Sequence, residues 1–339
     1  MNMPDETHPF ATLTPDFVLD ALDSLGLAGD GRLMALNSYE NRVYLAHLEP
    51  GTPLADAHRA VVLKFYRPGR WNAIQIGEEH AFALELMEAE VPVVGPLAIG
   101  GRTLHEHGGF LFSVSPRRGG RSPELGDGET LEWIGRFLAR LHHVGARAPF
   151  AHRPAVDLAT YGVEPREWLL TQGQLPLEVE RAWANVSQQA LGLVAGSFSG
   201  QLTSLRLHAD CHAGNILWTP SDEPGGGPHF VDLDDCRGGP AVQDLWMLLS
   251  GERAERQQQL GALIDGYEQM REFDRREFAL IEPLRTLRLI HYSAWIARRW
   301  QDPAFPAAFS GFGTPDYWRG QIHALTEQIE AMEMPPLVA

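Results

Sequence analysis

The stretch HADCHAGN, residues 208–215, holds two histidines, a cysteine, an aspartate and an asparagine within eight positions, and VDLDD follows at 231–235. Three chemistries could use such a set. Zinc would accept His208, Cys211, His212 and Cys236 as ligand types. The spacing is wrong for it: there is no C-x2-C, and no H-x3-H paired with one. Gly214 among small polar residues points to a loop. Taken singly, each residue reads as ordinary loop and turn chemistry. Taken together, NILW and HFVDL are apolar strand-like runs flanking the turn-rich TPSDEPGGGP, which predicts a hairpin bringing Asp210, Asn215 and Asp232 close in space. The third chemistry is phosphoryl transfer. It needs a carboxylate to accept the proton of the attacking hydroxyl and hard oxygen ligands to hold Mg²⁺ against nucleotide phosphates. A kinase catalytic loop supplies H-x-D, an Asn five positions after the Asp, and a second Asp on the next strand. His208-Ala-Asp210, Asn215 and Asp232 meet that spacing.

Elements must position these groups. TLTPDFVLDALDSLG predicts a helix with Thr14 as N-cap, Pro15 in its first turn and Gly26 at its end. NRVYLAHL and AVVLKFY read as strands joined by a hairpin-like link. AIQIGEEHAFALELMEAE predicts a helix of about four turns. VPVVGPLAIGG reads as loop and strand, and GGFLFSVSP as a strand ending at Pro116. Beyond RRGGRSPELGDGE the character changes: LEWIGRFLARLHHVG sets Leu131, Ile134, Phe137, Leu138, Leu141 and Val144 on one helical face. The rest of the chain reads as mainly helical. The composition shift near 114–120 marks the domain boundary, giving domains at 1–116 and 117–339.

The whole-chain composition excludes some functions. With 339 residues, 44% of them hydrophobic, the chain can bury a substantial core. Its 28 basic against 44 acidic residues give a formal net charge of −16. A field of that sign disfavours nucleic acid and anionic membrane as partners. Two cysteines supply no disulfide framework, and the first residues lack a basic and apolar leader, so a cytoplasmic protein is expected. No apolar run reaches the length of a membrane span. A monomer is the expected state.

HADCHAGNILW and FVDLDDCRGGPAVQDLW resemble the catalytic segments of the kinase-like phosphotransferases that include choline and aminoglycoside kinases. With LNSYENRVY, VVLKFYRPGRW, EEHAFALELMEAEVPV and VQDLWMLL, they are most similar to the stress response kinase A (SrkA, or YihE) family of bacterial Ser/Thr protein kinases. The likeness runs from about residue 10 to 300. It implies an α+β, two-lobed kinase-like fold: a small lobe of antiparallel strands with a helix for ATP, and a larger helical lobe carrying the catalytic hairpin, with Mg·ATP between them. It further implies Asp210 as catalytic base, Asn215 and Asp232 as Mg²⁺ ligands, and Asp232 also as a catalytic carboxylate.

By the same resemblance Lys64 meets the α- and β-phosphates with Glu79 as helix partner, Glu78 being the other candidate one position away. Ser38 covers the phosphates in place of a glycine-rich loop, unless it is only a turn residue. FSVSPRR is the hinge facing adenine, Asp244 braces the catalytic loop, and Asp234 and Asp235 cap or brace a turn. Ala209 stands where relatives have Gly, which a methyl tolerates if the backbone avoids positive φ. Cys211 and Cys236, beside carboxylates, are expected to be inert thiols. A Ser/Thr protein acceptor is favoured, with ATP and Mg²⁺ as cosubstrate and cofactor. The alternatives are a small-molecule hydroxyl kinase and a low-turnover nucleotide-binding regulator. The intact set of Lys64, Asp210, Asn215 and Asp232 argues against the last. In LRTLRLIHYSAWIARRW, Tyr292, Trp295 and Trp300 among Arg285, Arg288, Arg298 and Arg299 could hold a ligand or form an amphipathic packing helix. No acidic cluster or choline-type cage is visible there.

Overall fold

A computed structural model describes residues 8–198, 203–220 and 222–339. Met1–Thr7, on which the reading of the leader partly rests, and Ser221 of the hairpin connector lie outside them. The chain divides into two compact units. The first takes the chain up to Arg121 and takes back His229–Asp234; the second is Ser122–Pro228 with Asp235–Ala339.

The first unit is built on one antiparallel sheet. Its strands are β1 (Gly29–Ala35), β2 (Arg42–Leu48), β3 (Ala60–Phe65), β4 (His105–His107) and β5 (Phe110–Pro116), in the order β1-β2-β3-β5-β4. Alternation decides its two faces. Val61, Leu63 and Phe65 of β3, with Phe110, Phe112 and Val114 of β5, enter a core with Val18, Leu22 and Leu27. α1 (Pro15–Asp23) covers that side, Phe17 meeting Phe65 and Phe110 edge-on. It starts where Thr14 Oγ1 accepts the Phe17 N–H at 3.2 Å, an N-cap ahead of Pro15. Lys64 points to the opposite face; its Cα partners are Val43 on β2 and Ser113 on β5. α2 (Ala73–Glu88) opens on an Asn72–Gln75 capping box and buries Ile76, Glu79, His80, Phe82, Ala83 and Leu86.

Two elements differ from the sequence reading. The sequence carries no strand signal for β1: GDGRLMA has two glycines and two charges, and its residues are half-buried or exposed. It is an edge strand, formed by pairing with β2 instead of by its own propensity. VPVVGPLAIGG forms no strand. Pro92 and Pro96 remove two donors, and Val93 makes only an isolated parallel bridge to Phe230.

The second unit is mainly helical: α3 (Gly128–Gly145), α4 (Glu164–Thr171), α5 (Leu177–Ser197), α6 (Gln243–Trp246), α7 (Arg253–Glu268), α8 (Ile281–Ala297), α9 (Ala304–Ala308) and α10 (Pro315–Glu333). Leu131, Ile134, Leu138, Leu141 and Val144 of α3 are buried, while Phe137 stays half-exposed. α3 crosses α7 with backbone nearly touching backbone. A Cβ on Gly135 would lie 2.0 Å from the Leu263 carbonyl oxygen, and one on Gly266 would lie 2.0 Å from that of Glu132. Short strands fill in around the helices: β6 (Leu205–Leu207) pairs with β9 (Arg237–Gly239), and β7 (Ile216–Thr219) with β8 (Gly227–Phe230). The β7–β8 hairpin is the one the apolar runs indicated, and along β8 the chain returns to the first unit. Among the described residues no helix is long and apolar enough to cross a membrane.

Candidate functional site

In the first unit, the chemistry gathers on the Lys64 ammonium. Its Nζ lies 2.9 Å from Asp232 Oδ1, 3.1 Å from Asp234 Oδ1 and 3.5 Å from Glu79 Oε1. A lysine in a central strand is costly without partners, and here three carboxylates answer it. Burial would pull the ammonium down, but the charges of Asp232, Asp234 and Glu79 more than offset it and hold it well above the ordinary value. Lys64 therefore stays charged at neutral pH. The helix partner is Glu79, whose side chain is buried.

The carboxylates are not equivalent. The Asp232 side chain is 53% exposed, with its backbone at φ +59°, while that of Asp234 is 4% exposed. Asp234 also pairs with Arg70, and the Arg70 and Arg67 guanidiniums meet Glu40 at 3.8 and 3.0 Å. Asp234 is thus half of a buried ion network, a larger role than bracing a turn, whereas Asp232 presents carboxylate to solvent. The Arg67–Arg70–Glu40 part carried no motif signal in the sequence. Ser38 lies in the turn between β1 and β2 and donates from Oγ to the Asn41 carbonyl at 3.1 Å. In the FSVSPRR segment, the Val114 carbonyl accepts the Leu97 N–H at 2.7 Å.

In the second unit, Asp210 and Asn215 are brought together. Asn215 Nδ2 donates to the Asp210 carbonyl at 2.9 Å and to its Oδ2 at 3.3 Å. His212 Nδ1 accepts the Gly214 N–H at 3.0 Å, which puts the ring proton on Nε2, 3.5 Å from Asp210 Oδ2. Arg288, from α8, donates to the other oxygen, Oδ1, at 2.8 Å. Burial pushes the Asp210 carboxyl up, but the His212 hydrogen bond and the Arg288 charge outweigh it and leave the group below its ordinary value. It is an ionised carboxylate at neutral pH, able to accept a proton. The sequence offers His212 only as a zinc ligand type or loop residue and Arg288 only among the arginines of its helix; nothing in the spacing ties either to Asp210.

The loop is held from below. Asp244, fully buried on α6, accepts the His208 N–H at 2.9 Å and the Ala209 N–H at 2.7 Å, and meets His142 Nε2 at 3.0 Å. His142 Nδ1 in turn meets the Tyr267 hydroxyl at 3.0 Å. This is the brace the VQDLW match implied. Ala209 takes φ +68°, contrary to the condition set by its methyl. The left-handed conformation costs an Ala about 1–2 kcal/mol. It persists because Asp244 fixes the amide and Gln243 Nε2 holds the carbonyl at 2.8 Å. Cys211 is fully buried; burial first, then the charges of Asp244 and Asp210, push its thiol well up. His208, Cys211, His212 and Cys236 do not form a metal cluster: no group of three or more His, Cys, Asp or Glu is gathered as one among the described residues.

Comparison with known proteins gives this geometry its class. A sequence model of a phosphotransferase enzyme family, named APH, matches residues 33–281. An amicoumacin kinase, solved in complex with AMP-PNP, Ca²⁺ and its ligand Ami, superposes with a TM-score of 0.71; it is 18% identical and the match covers 95% of this chain and 94% of that one. The fold is therefore that of the α+β kinase-like phosphotransferases. Stress response kinase A of Escherichia coli (strain K12) is 46% identical over 335 residues, 99% of this chain and 98% of that protein. A Salmonella typhimurium (strain LT2) protein named Serine/threonine protein kinase RdoA is also 46% identical over 335 residues, with the same coverage. The chain belongs to the stress response kinase A family, and it is a kinase-type phosphotransferase.

Proposed function

We propose that the chain transfers the γ-phosphate of ATP, with Mg²⁺, to a Ser or Thr hydroxyl of a protein. The observation that carries the reaction class is the Asp210 carboxylate: ionised, oriented by Asn215 and His212, and seated on a loop whose backbone Asp244 pins. The protein acceptor is supported by 46% identity over 99% of the chain to a protein named as a Ser/Thr protein kinase.

Each unit supplies groups of the kind that a nucleotide and a divalent cation would use. The exposed Asp232 carboxylate is a hard oxygen donor. Asn215 uses Nδ2 on Asp210, which leaves its Oδ1 as the atom able to face a cation. Lys64, kept charged, supplies a cation for the α- and β-phosphates, with Glu79 fixing its direction. Ser38 and its neighbouring backbone N–H groups would cover the phosphates, and FSVSPRR would meet the adenine. In this reading the first unit is the ATP-binding domain and the second the catalytic and acceptor domain. Bound Mg²⁺ would neutralise charge that develops on the transferred group. Asp210 would orient the acceptor hydroxyl and take its proton as the new P–O bond forms.

Incubation with γ-labelled ATP and Mg²⁺, with and without a generic protein acceptor, tests the reading. Label should appear on Ser or Thr and vanish in Asp210→Ala, whose nucleotide affinity should persist while that of Lys64→Ala falls. Equal loss of affinity in both variants would break the division of roles. Labelling that needs a cell-metabolite extract and leaves protein unlabelled would move the acceptor to a small-molecule hydroxyl.

A further inference from the structure

Arg288 sits directly on the proposed base, and that contact needs an explanation. Asp210 is already oriented by Asn215 and His212 through Oδ2. A guanidinium on Oδ1 lowers the proton affinity of the carboxylate, which works against a group that must accept a proton. As a brace alone, Arg288 would be a handicap. Its own geometry is suggestive: the side chain is 31% exposed, and Asp210 is its sole ion-pair or hydrogen-bond partner among the described residues. An arginine carries five N–H donors in a rigid fork matched to carboxylate and phosphate. One is engaged on Asp210, and the side chain, 31% exposed, keeps others for a further acceptor.

A second guanidinium–carboxylate pair lies close by. Arg237 lies 5.1 Å above the Tyr161 ring and 3.3 Å from Asp235, and Tyr161 stacks on His291 at 4.1 Å. Burial pushes His291 down to about 3, and the charges of Arg237, Arg288 and Arg299 press it in the same direction while Asp235 opposes them. His291 is therefore neutral, with three guanidinium groups among the charges that act on it.

We propose that Arg288 is an acceptor-binding residue and that the acceptor carries an anionic group, a carboxylate or a phosphate, close to the hydroxyl that is phosphorylated. The proposal rests on the reading of Asp210 as the base. The hydroxyl must come within about 3 Å of Asp210, so a group one residue away along a peptide, where Cα atoms are about 3.8 Å apart, reaches the same fork. An anion there shares the guanidinium with Asp210 and weakens its hold on the base as the hydroxyl arrives. The overall charge of −16 does not forbid this. At physiological salt, charges beyond about 8 Å are largely screened, whereas the fork acts in contact.

The test compares Ser/Thr peptides with acidic, neutral and basic flanks, and small hydroxy acids with small hydroxy amines, using γ-labelled ATP. Wild type, Arg288→Lys and Arg288→Met are assayed side by side. The wild type should favour acidic over neutral peptides by about tenfold in kcat/KM. Arg288→Met should bring that ratio close to one, with Arg288→Lys in between. The ratio is informative even where a variant is slower overall. An absence of preference in the wild type overturns the proposal. So does a ratio unchanged in Arg288→Met while all rates fall together, which would make the residue only a positioning group for Asp210. Label on hydroxy acids and on no peptide would overturn the protein acceptor and support the anionic one. Label on cationic acceptors of either size would overturn the anionic acceptor alone.

Discussion

At the scale of single residues, Asp232 and Asp234 show how one motif holds two kinds of carboxylate. Both sit about 3 Å from Lys64 Nζ. Asp234, buried and shared with Arg70, is an ion-pair partner whose loss leaves charge without compensation in a low-dielectric place. Asp234→Ala should therefore cost about 3 kcal/mol in denaturant unfolding, the low end for a broken buried pair because Lys64 keeps Glu79 and Asp232. Asp232→Ala, at an exposed group, should cost less than about 1 kcal/mol and yet abolish phosphoryl transfer. Comparable losses of stability in the two variants would contradict the distinction. Sequence spacing picked out Asp232 because kinase chemistry needs a carboxylate there. It could not rank Asp234, because burial and the pairing with Arg70, 164 positions away, are tertiary facts.

At the scale of elements, α6 is the hub under the loop. It is only four residues long, so its own hydrogen bonds cannot make it stable. Asp244 ties it to the loop above, and Glu277, buried, accepts the Val242 N–H at its start at 2.8 Å. Burial pushes the Glu277 carboxyl from 4.5 up to about 7, more than its backbone hydrogen bonds can offset. A carboxyl whose folded pKa is raised favours the protonated folded state. Stability should then fall as pH rises from about 4.5 to about 7 and level off above. Glu277→Gln keeps an oxygen for Val242 and removes the titration. Its thermal midpoint should gain on the wild type between pH 5 and pH 8, by on the order of 2–3 kcal/mol in stability. A difference independent of pH would refute the ionisation. The α3–α7 crossing makes a second element-level demand: Gly266→Ala places a methyl inside the Glu132 carbonyl, so the helices must separate. Overpacking of that kind costs about 1–3 kcal/mol or more, and a midpoint equal to that of the wild type would show the crossing to be loose. The amphipathic pattern of α3 was legible because burial follows a fixed period, and the strand around Lys64 because β-branched and aromatic residues run through it. β1, made by its neighbour, and the α3–α7 contact, made by a missing side chain, leave no periodic trace.

At the scale of the whole molecule, the resemblance implied two lobes. What the sequence could not reveal is that the first unit is discontinuous: it reclaims His229–Asp234 after more than a hundred residues have gone to the second. The return has backbone and charge consequences. The Val94 N–H donates to the Phe230 carbonyl at 2.9 Å, the Phe230 N–H to the Pro92 carbonyl at 2.8 Å, and the Phe230 side chain is fully buried. The same segment delivers Asp232 and Asp234 to Lys64. A fragment of residues 1–121 would keep the five-stranded sheet and its core yet lose that bridge, a buried aromatic and two of the three carboxylates at a buried ammonium. Breaking buried ion pairs costs about 3–5 kcal/mol, and losing a large buried aromatic about as much again. Domains are stable by only about 5–15 kcal/mol, so the fragment should show no cooperative transition in denaturant. Adding Lys64→Met should not recover the loss, because it takes the ammonium away from the buried Glu79 carboxylate. A fragment that unfolds cooperatively, at the stability of the first unit in the full chain, would mean that the returning segment only completes chemistry and does not hold the unit together.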